Sequence, residues 1–145
     1  MIGLIQRVKH ASVEVDGNCV GNINQGLLLL LGVEKHDSQE QIEKLAKKVM
    51  NYRIFSDKDG KMNLSLLDVG GELLVVSQFT LVAQTNKGNR PGFSDGAPPE
   101  KGKRIYEDFL SHVNAHYQDC ESGVFGADMQ ISLVNDGPVT FYFKV

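Results

Sequence analysis

Gly26-Leu27-Leu28-Leu29-Leu30-Leu31-Gly32-Val33 is the stretch that most restricts what this chain can fold into. It is far too short to cross a bilayer as a helix, and it has no polar face to turn toward water. A strand that is apolar on both faces must be covered on both, so the run predicts a central strand with one layer above its sheet and one below. Everything else in the chain has to supply those covers.

The flanking patterns do so. Gly3 to Val8 reads as a first strand, Ala11-Ser12-Val13-Glu14-Val15 alternates as a second, Asp16-Gly17 is a hairpin turn, and Cys19 to Ile23 returns. His36-Asp37-Ser38 opens a helix in which Ser38 and Gln41 have capping-box spacing, and Ile42, Leu45, Ala46, Val49 and Met50 form one stripe. Tyr52 to Phe55 is extended, Asp57 to Gly60 is a turn, and Leu73 to Leu81 is a second strongly buried strand. After an irregular stretch from Gln84 to Glu100, Pro98-Pro99-Glu100 starts a helix of about five turns. That helix buries Ile105, Phe109, Val113 and Tyr117 and ends at Glu121-Ser122-Gly123, before Val124-Phe125 resumes an extended form. Strands outnumber helices and neighbours run mostly as hairpins. The expected class is therefore α+β: a three-layer β/β/α single domain spanning 1–145, with largely antiparallel sheets.

Near the C-terminus, Ile131 and Leu133 alternate with Ser132, and Val139, Phe141, Phe143 and Val145 alternate with Thr140, Tyr142 and Lys144. Asn135-Asp136-Gly137-Pro138 interrupts this two-residue period, because proline cannot donate to a sheet ladder. One reading is a turn joining two strands of a hairpin. The other is a rigid, solvent-facing edge whose unpaired carbonyls face a ligand; Gly137 would let another molecule approach the backbone, and an X–Pro bond is the common place for a cis peptide. Ser77-Gln78-Phe79-Thr80-Leu81 poses a similar choice. A buried strand that ends in polar side chains is either emerging into solvent or offering hydroxyls, an amide and backbone N–H groups to a carbonyl oxygen. Thr80 has no base adjacent in sequence, which favours positioning over covalent catalysis.

Other constellations carry less. His112 and His116 have the spacing of two metal ligands on a helix face, but the segment lacks the glutamate of a zinc hydrolase and reads as two exposed histidines. Asp57-Lys58-Asp59-Gly60 lacks the closing glutamate of a calcium loop. Neither a glycine-rich phosphate loop nor a Gly-x-Ser-x-Gly elbow is present. Cys19 and Cys120 read as reduced, partly buried thiols of a cytosolic protein, and no signal peptide or membrane span is expected. The net charge of −3 speaks against a general nucleic-acid binder. A nucleic acid would have to meet a local patch: Lys47-Lys48 with Arg53, or Lys87, Arg90, Lys101, Lys103 and Arg104.

Together, Ser77-Gln78-Phe79-Thr80-Leu81 and Asn135-Asp136-Gly137-Pro138-Val139-Thr140 resemble the two signature motifs of the D-aminoacyl-tRNA deacylases, of the bacterial type. The resemblance runs end to end through Ile5-Gln6-Arg7-Val8, Tyr52-Arg53-Ile54-Phe55, Gly60-Lys61-Met62-Asn63 and Asn89-Arg90-Pro91. Gly92 stands where that pattern has serine, and Gly102 where a small alanine is usual.

The resemblance implies a homodimer with two active sites at the subunit interface, working without metal or organic cofactor. Its reaction is hydrolysis of the ester between a D-amino acid and the 3′-terminal adenosine of tRNA. On that basis Ser77, Gln78, Phe79 and Thr80 line the pocket, and the main-chain N–H groups of Phe79 and Thr80 polarise the ester carbonyl. Phe125 and Met129 hold the adenine, although both could equally be ordinary core residues. Gly137 and Pro138, cis and inserted from the other subunit, reject L-amino acids, and Arg7 braces them. Two alternatives stay open beside this: a hydrolase with Thr80 as nucleophile, and a non-catalytic module that binds charged tRNA ends.

Overall fold

The computed structural model describes residues 1–145. Its organising element is β1 (Ile2–Val15), a 14-residue strand that merges the two short strands expected from the sequence. Asp16 and Gly17, both at positive φ, turn β1 into β2 (Asn18–Ile23), which pairs with its second half. The first half pairs antiparallel with β3 (Gly26–Gly32), from Ile2 opposite Gly32 to Val8 opposite Gly26. Along its other edge β1 pairs antiparallel with β8 (Gln130–Lys144). β3 continues the sheet in parallel to β6 (Glu72–Ser77), and β6 in parallel to the two-residue β7 (Glu121–Ser122).

Leucines 27 to 31 alternate across this sheet as a strand must. Leu27, Leu29 and Leu31, with Leu73 and Val75 of β6, face α1 (Gln39–Asn51) and α3 (Pro99–His116). Leu28, Leu74 and Val76 face the other way, onto Val8, Ala11, Val13 and Ile23 from β1 and β2. One core therefore lies between helices and sheet and a second between two β layers. The α+β class and the β/β/α layering agree with the expectation. The ladder is mostly antiparallel, with the β3–β6 and β6–β7 pairings as parallel exceptions.

α1 begins where its cap predicts: Gln41 Oε1 accepts from the Ser38 N–H at 3.1 Å and from Ser38 Oγ at 2.7 Å, and the expected stripe is buried. β4 (Phe55–Ser56) and β5 (Met62–Leu64) form a small separate hairpin around the Asp57–Gly60 turn, followed by one helical turn, α2 (Leu66–Val69). The Met1 ammonium lies 2.5 Å from Asp37 and 3.0 Å from Glu34, and Lys144 meets Glu34 at 2.6 Å. Burial alone would raise the Glu34 pKa, but the bonds from Lys144 and the terminal ammonium outweigh it and hold the carboxyl below its usual range. This clamp between both chain ends is therefore in force above the ordinary carboxylate pKa and is lost as pH falls through the lowered one.

Four expectations need correction. The strand over Leu73–Leu81 stops at Ser77, and Phe79–Val82 forms a 3-10 turn, because β3 ends at Gly32 and its pairing with this strand runs out at Leu31 opposite Ser77. The second long helix ends at His116, leaving Tyr117 half-buried at its C-cap, and Glu121-Ser122 leaves it to join β6. The two C-terminal runs are one strand along β1, and no hairpin turn separates them. Cys19 is exposed; only Cys120 is partly buried, and burial pushes its thiol pKa up to about 11.

Gly26 has no room for a side chain: a Cβ there would lie 1.9 Å from the Glu72 carbonyl oxygen, across the β3–β6 pairing. Gly26→Ala should cost about 3 kcal/mol in urea unfolding, because backbone must move to admit the methyl. A change under about 0.5 kcal/mol would mean that this parallel edge yields easily.

Candidate active site

Where β6 leaves the sheet, the Gln78 N–H still donates to the Leu31 carbonyl at 2.8 Å; beyond it the chain turns away. This opens a cleft of about 460 Å³. Val76, Ser77, Gln78 and Phe79 form one wall, and Ala97 and Pro99 at the start of α3 form another. Phe125, Ala127, Met129 and Ile131 close it. The lining is mostly apolar, with the Ser77 and Gln78 side chains as polar groups at its edge. Such a site suits a flat apolar body with a few polar contacts to orient it.

Phe79 is 66% exposed and packs on Phe93 with ring centroids 5.1 Å apart. Thr80 is exposed outside the lining, and its Oγ1 accepts from Gln78 Nε2 at 2.5 Å. No histidine or carboxylate bonds the Thr80 hydroxyl. Phe79 and Thr80 are also the first two residues of the 3-10 turn, where N–H groups lack partners within the turn.

The cleft depends on groups beneath it. Phe125 leans on Tyr106 at 5.8 Å between centroids. The Tyr106 hydroxyl, buried between sheet and helix, donates to the Val75 carbonyl at 2.9 Å and approaches that of Gly123 at 3.3 Å. Burial pushes its pKa well above the ordinary phenol range, so it remains a donor at neutral pH. A Cβ on Gly102 would sit 3.3 Å from Phe125 Cζ, and one on Gly123 would sit 2.6 Å from Met129 Sδ. These two glycines leave the space in which the two apolar side chains rest.

A second constellation lies on β8. Its pairing with β1 passes from Val8 opposite Asn135 to Gln6 opposite Thr140, so residues 136–139 bulge from the ladder. Gly137 and Pro138 are exposed on this bulge, and the peptide bond between them is cis. Arg7 Nε reaches the Asp136 carbonyl and carboxylate, each at 3.2 Å, while Nη1 donates to the Ile54 carbonyl at 2.5 Å. Asn135 Nδ2 bonds the carbonyls of Arg7 at 3.0 Å and Val139 at 3.1 Å, closing the base of the bulge. Gly137 has φ +124°, and a Cβ there would meet Val139 Cγ2 at 2.7 Å.

Of the expected site residues, Ser77, Gln78, Phe79, Phe125 and Met129 come together in the cleft. Thr80 stands just outside it; Arg7, Gly137 and Pro138 form the bulge and do not line it. Sequence reasoning missed Tyr106 and Ala97, and it placed Asn135 in the second motif without giving it a role. An amide two residues before Gly137 is the signal for that role, since it can reach a carbonyl beyond the interruption and one on the neighbouring strand. His112 and His116 stack at 4.3 Å, with His112 half-buried, which lowers its pKa together with the His116 charge.

A family model described as D-Tyr-tRNA(Tyr) deacylase matches residues 4–144. Curated proteins named D-aminoacyl-tRNA deacylase are 66% identical in Pseudoalteromonas atlantica and 62% identical in Alteromonas mediterranea, each over 100% of both chains. A solved chain named c-Myc DNA Unwinding Element Binding Protein is 38% identical at TM-score 0.94, covering 100% of this chain and 99% of its own. Another, described as a probable eukaryotic D-amino acid tRNA deacylase, is 17% identical at TM-score 0.82, over 99% and 98% of the two chains. At that identity the likeness concerns the fold.

Tyr106→Phe leaves two buried carbonyls without their shared donor. It should lower stability by about 1–2 kcal/mol in urea unfolding, and no measurable change would mean that water takes the place of the hydroxyl.

Proposed function

The chain belongs to the D-Tyr-tRNA(Tyr) deacylase family and is a hydrolase of the D-aminoacyl-tRNA deacylase kind; from that premise we propose how its residues divide the reaction. The domain spanning 1–145 works as a cytoplasmic homodimer. The cleft takes the 3′-terminal adenosine of tRNA, with the adenine against Phe125 and Met129 and the amino acid toward Ser77 and Gln78. The Phe79 and Thr80 N–H groups stabilise the oxyanion that forms when water attacks the ester. The terminal ribose 2′-OH of the substrate assists that water, and free tRNA and the D-amino acid are released.

The observation that carries this reading is the separation of the two constellations. The apolar cleft holds the base-sized space, while Gly137-Pro138 projects from β8 on an exposed, internally braced bulge. A bulge so placed is suited to enter the cleft of a second copy. Its main-chain carbonyls would receive the ammonium of a D-amino acid, whose side chain then points away. An L-amino acid in the same pose would drive its side chain into the backbone, and rejection by main chain acts on every side chain alike. Glycine has nothing to reject, so glycyl-tRNA would also be cleaved. The brace is extensive: Arg7 and Asn135 hold the bulge from both sides. The Thr80 hydroxyl, bonded to an amide and to no base, does not favour the nucleophile alternative.

With EDTA present, the purified protein should release D-amino acid from D-aminoacyl-tRNA at least about 100-fold faster than it releases the L-enantiomer. Equal release of both would overturn selection by the bulge, and no release would leave a binding module. Thr80→Ala should retain activity within about tenfold, because its contribution is main-chain. A loss of about 10⁴ or more would instead make the hydroxyl the nucleophile.

A further inference from the structure

Beside the apolar cleft lies a second cavity of quite different character. Its volume is also about 460 Å³, and it is lined by Gln84, Asn86, Lys87, Arg90, Gly92 and Asp95, with no apolar side chain among them. The segment that forms it is tied into a compact turn. Gln84 and Gly92 exchange main-chain hydrogen bonds at 2.7 and 3.0 Å, Gln84 Nε2 donates to Asp95 Oδ2 at 2.7 Å, and the Lys35 N–H donates to the Asp95 carbonyl at 3.1 Å. Asp95 is thus the one carboxylate of the cavity, and the Gln84 amide occupies one of its oxygens. Lys87 and Arg90 are exposed and take part in none of the ion pairs of the molecule.

The same turn adjoins the apolar cleft without lining it. Phe93, next to Gly92, packs at a tilt on Phe79 of the cleft wall, and Ala97, two residues beyond Asp95, lines that cleft. A nucleoside held in the cleft is the end of a strand, and the strand must leave past one of its walls with a phosphate at every step. We infer that the Gln84–Asp95 turn binds a backbone phosphate of the RNA strand immediately preceding the terminal nucleoside. This inference rests on the adenosine reading of the cleft. Arg90 supplies a planar fork and Lys87 a mobile charge, and the Asn86 amide can donate to a third oxygen.

Two members of the competing basic patch are already engaged. Lys48 sits over the Phe143 ring at 5.0 Å, and Arg53 Nε donates to the Asn63 carbonyl at 2.7 Å beside Asp57 and Asp68. A protein of net charge −3 would hold RNA through few phosphates, and those contacts belong next to the reacting end.

The test is binding of uncharged tRNA, followed by fluorescence across about 50–200 mM salt, for the wild type, Lys87→Ala/Arg90→Ala and Lys47→Ala/Lys48→Ala. Loss of the two cations that hold this phosphate should weaken binding by the Lys87→Ala/Arg90→Ala variant about tenfold at low salt and reduce the log–log salt slope by about 1. The Lys47/Lys48 pair should bind as the wild type does. An unchanged affinity and slope for the Lys87/Arg90 variant would overturn the inference, as would a loss that appears in the Lys47/Lys48 variant instead. Lys87 and Arg90 are exposed and in no ion pair, so thermal melting of that variant should match the wild type, and a lowered melting point with an unchanged salt slope also counts against the inference. Hydrolysis of D-aminoacyl-tRNA by the wild type is read separately. A chain that binds tRNA through this turn but releases no amino acid would remove the deacylase assignment of the cleft and leave the phosphate site standing.

Discussion

One strand must serve two layers, and most of the architecture follows from that demand. A flat strand has two edges, yet β1 pairs with β2, β3 and β8. It manages this by dividing its length: residues 2–8 share an edge with β3, residues 11–15 share one with β2, and β8 follows the opposite edge throughout. Val8 and Ala11 sit at the transition, buried in the core between the β layers. The Leu27–Leu31 strand can then be apolar on both faces, because β1 carries the chain from the sheet it belongs to into the layer that covers it. The helices cover the other side.

Following a bent strand costs β8 its regularity. The register shifts between β1 and β8 fall between Gln6 and Val8 and between Val8 and Ala11, at the same transition. Extra residues gather there as a bulge, a common device where a strand must change direction. Left alone, such a bulge would expose unpaired main-chain groups and move. Arg7 and Asn135 counter this by bonding the carbonyls of Asp136 and Val139 on either side of the exposed tip, which braces the bulge at its base. On the proposed reading, selection by main chain requires that rigidity, since a loop able to yield would admit both enantiomers.

The parts legible in the sequence were those governed by period and by caps. Five leucines between glycines gave the central strand and its two covers, and Ser38 with Gln41 gave the start of α1. What sequence could not reveal depended on a partner's length. Phe79, Thr80 and Leu81 are as good strand formers as Leu73 to Val76, but the pairing with β3 ends at Leu31 opposite Ser77, one residue before β3 itself stops, and leaves them nothing to pair with. Glu121-Ser122 has no pattern of its own and is a strand only because the β6 edge beside it is vacant. Gly137-Pro138 resembled a hairpin turn because the pattern records an interruption and not whether the chain reverses. The motifs were recognisable by resemblance, and what supports them was not: Tyr106 reads as one more residue of a helix, and nothing marks Asn135, inside its motif, as the residue that closes the bulge.

Those supports also explain why the cleft can stay open in a small protein. An apolar cavity of this size would ordinarily collapse, since its lining gains contacts by closing. Collapse here would require Phe125 to leave Tyr106, and Tyr106 is anchored to the backbone of β6 by a buried hydroxyl. Met129 is held over Gly123, whose own N–H donates to the Val75 carbonyl at 2.9 Å. Val75 therefore accepts from both the aromatic support and the glycine beneath the thioether, and it belongs to the strand that pairs with the central leucines. The shape of the cleft is thus referred back to the most buried part of the sheet. The two glycines matter for the same reason: at Gly102 and Gly123 a methyl group would push against the ring and the sulfur from below, into the space that a ligand would fill.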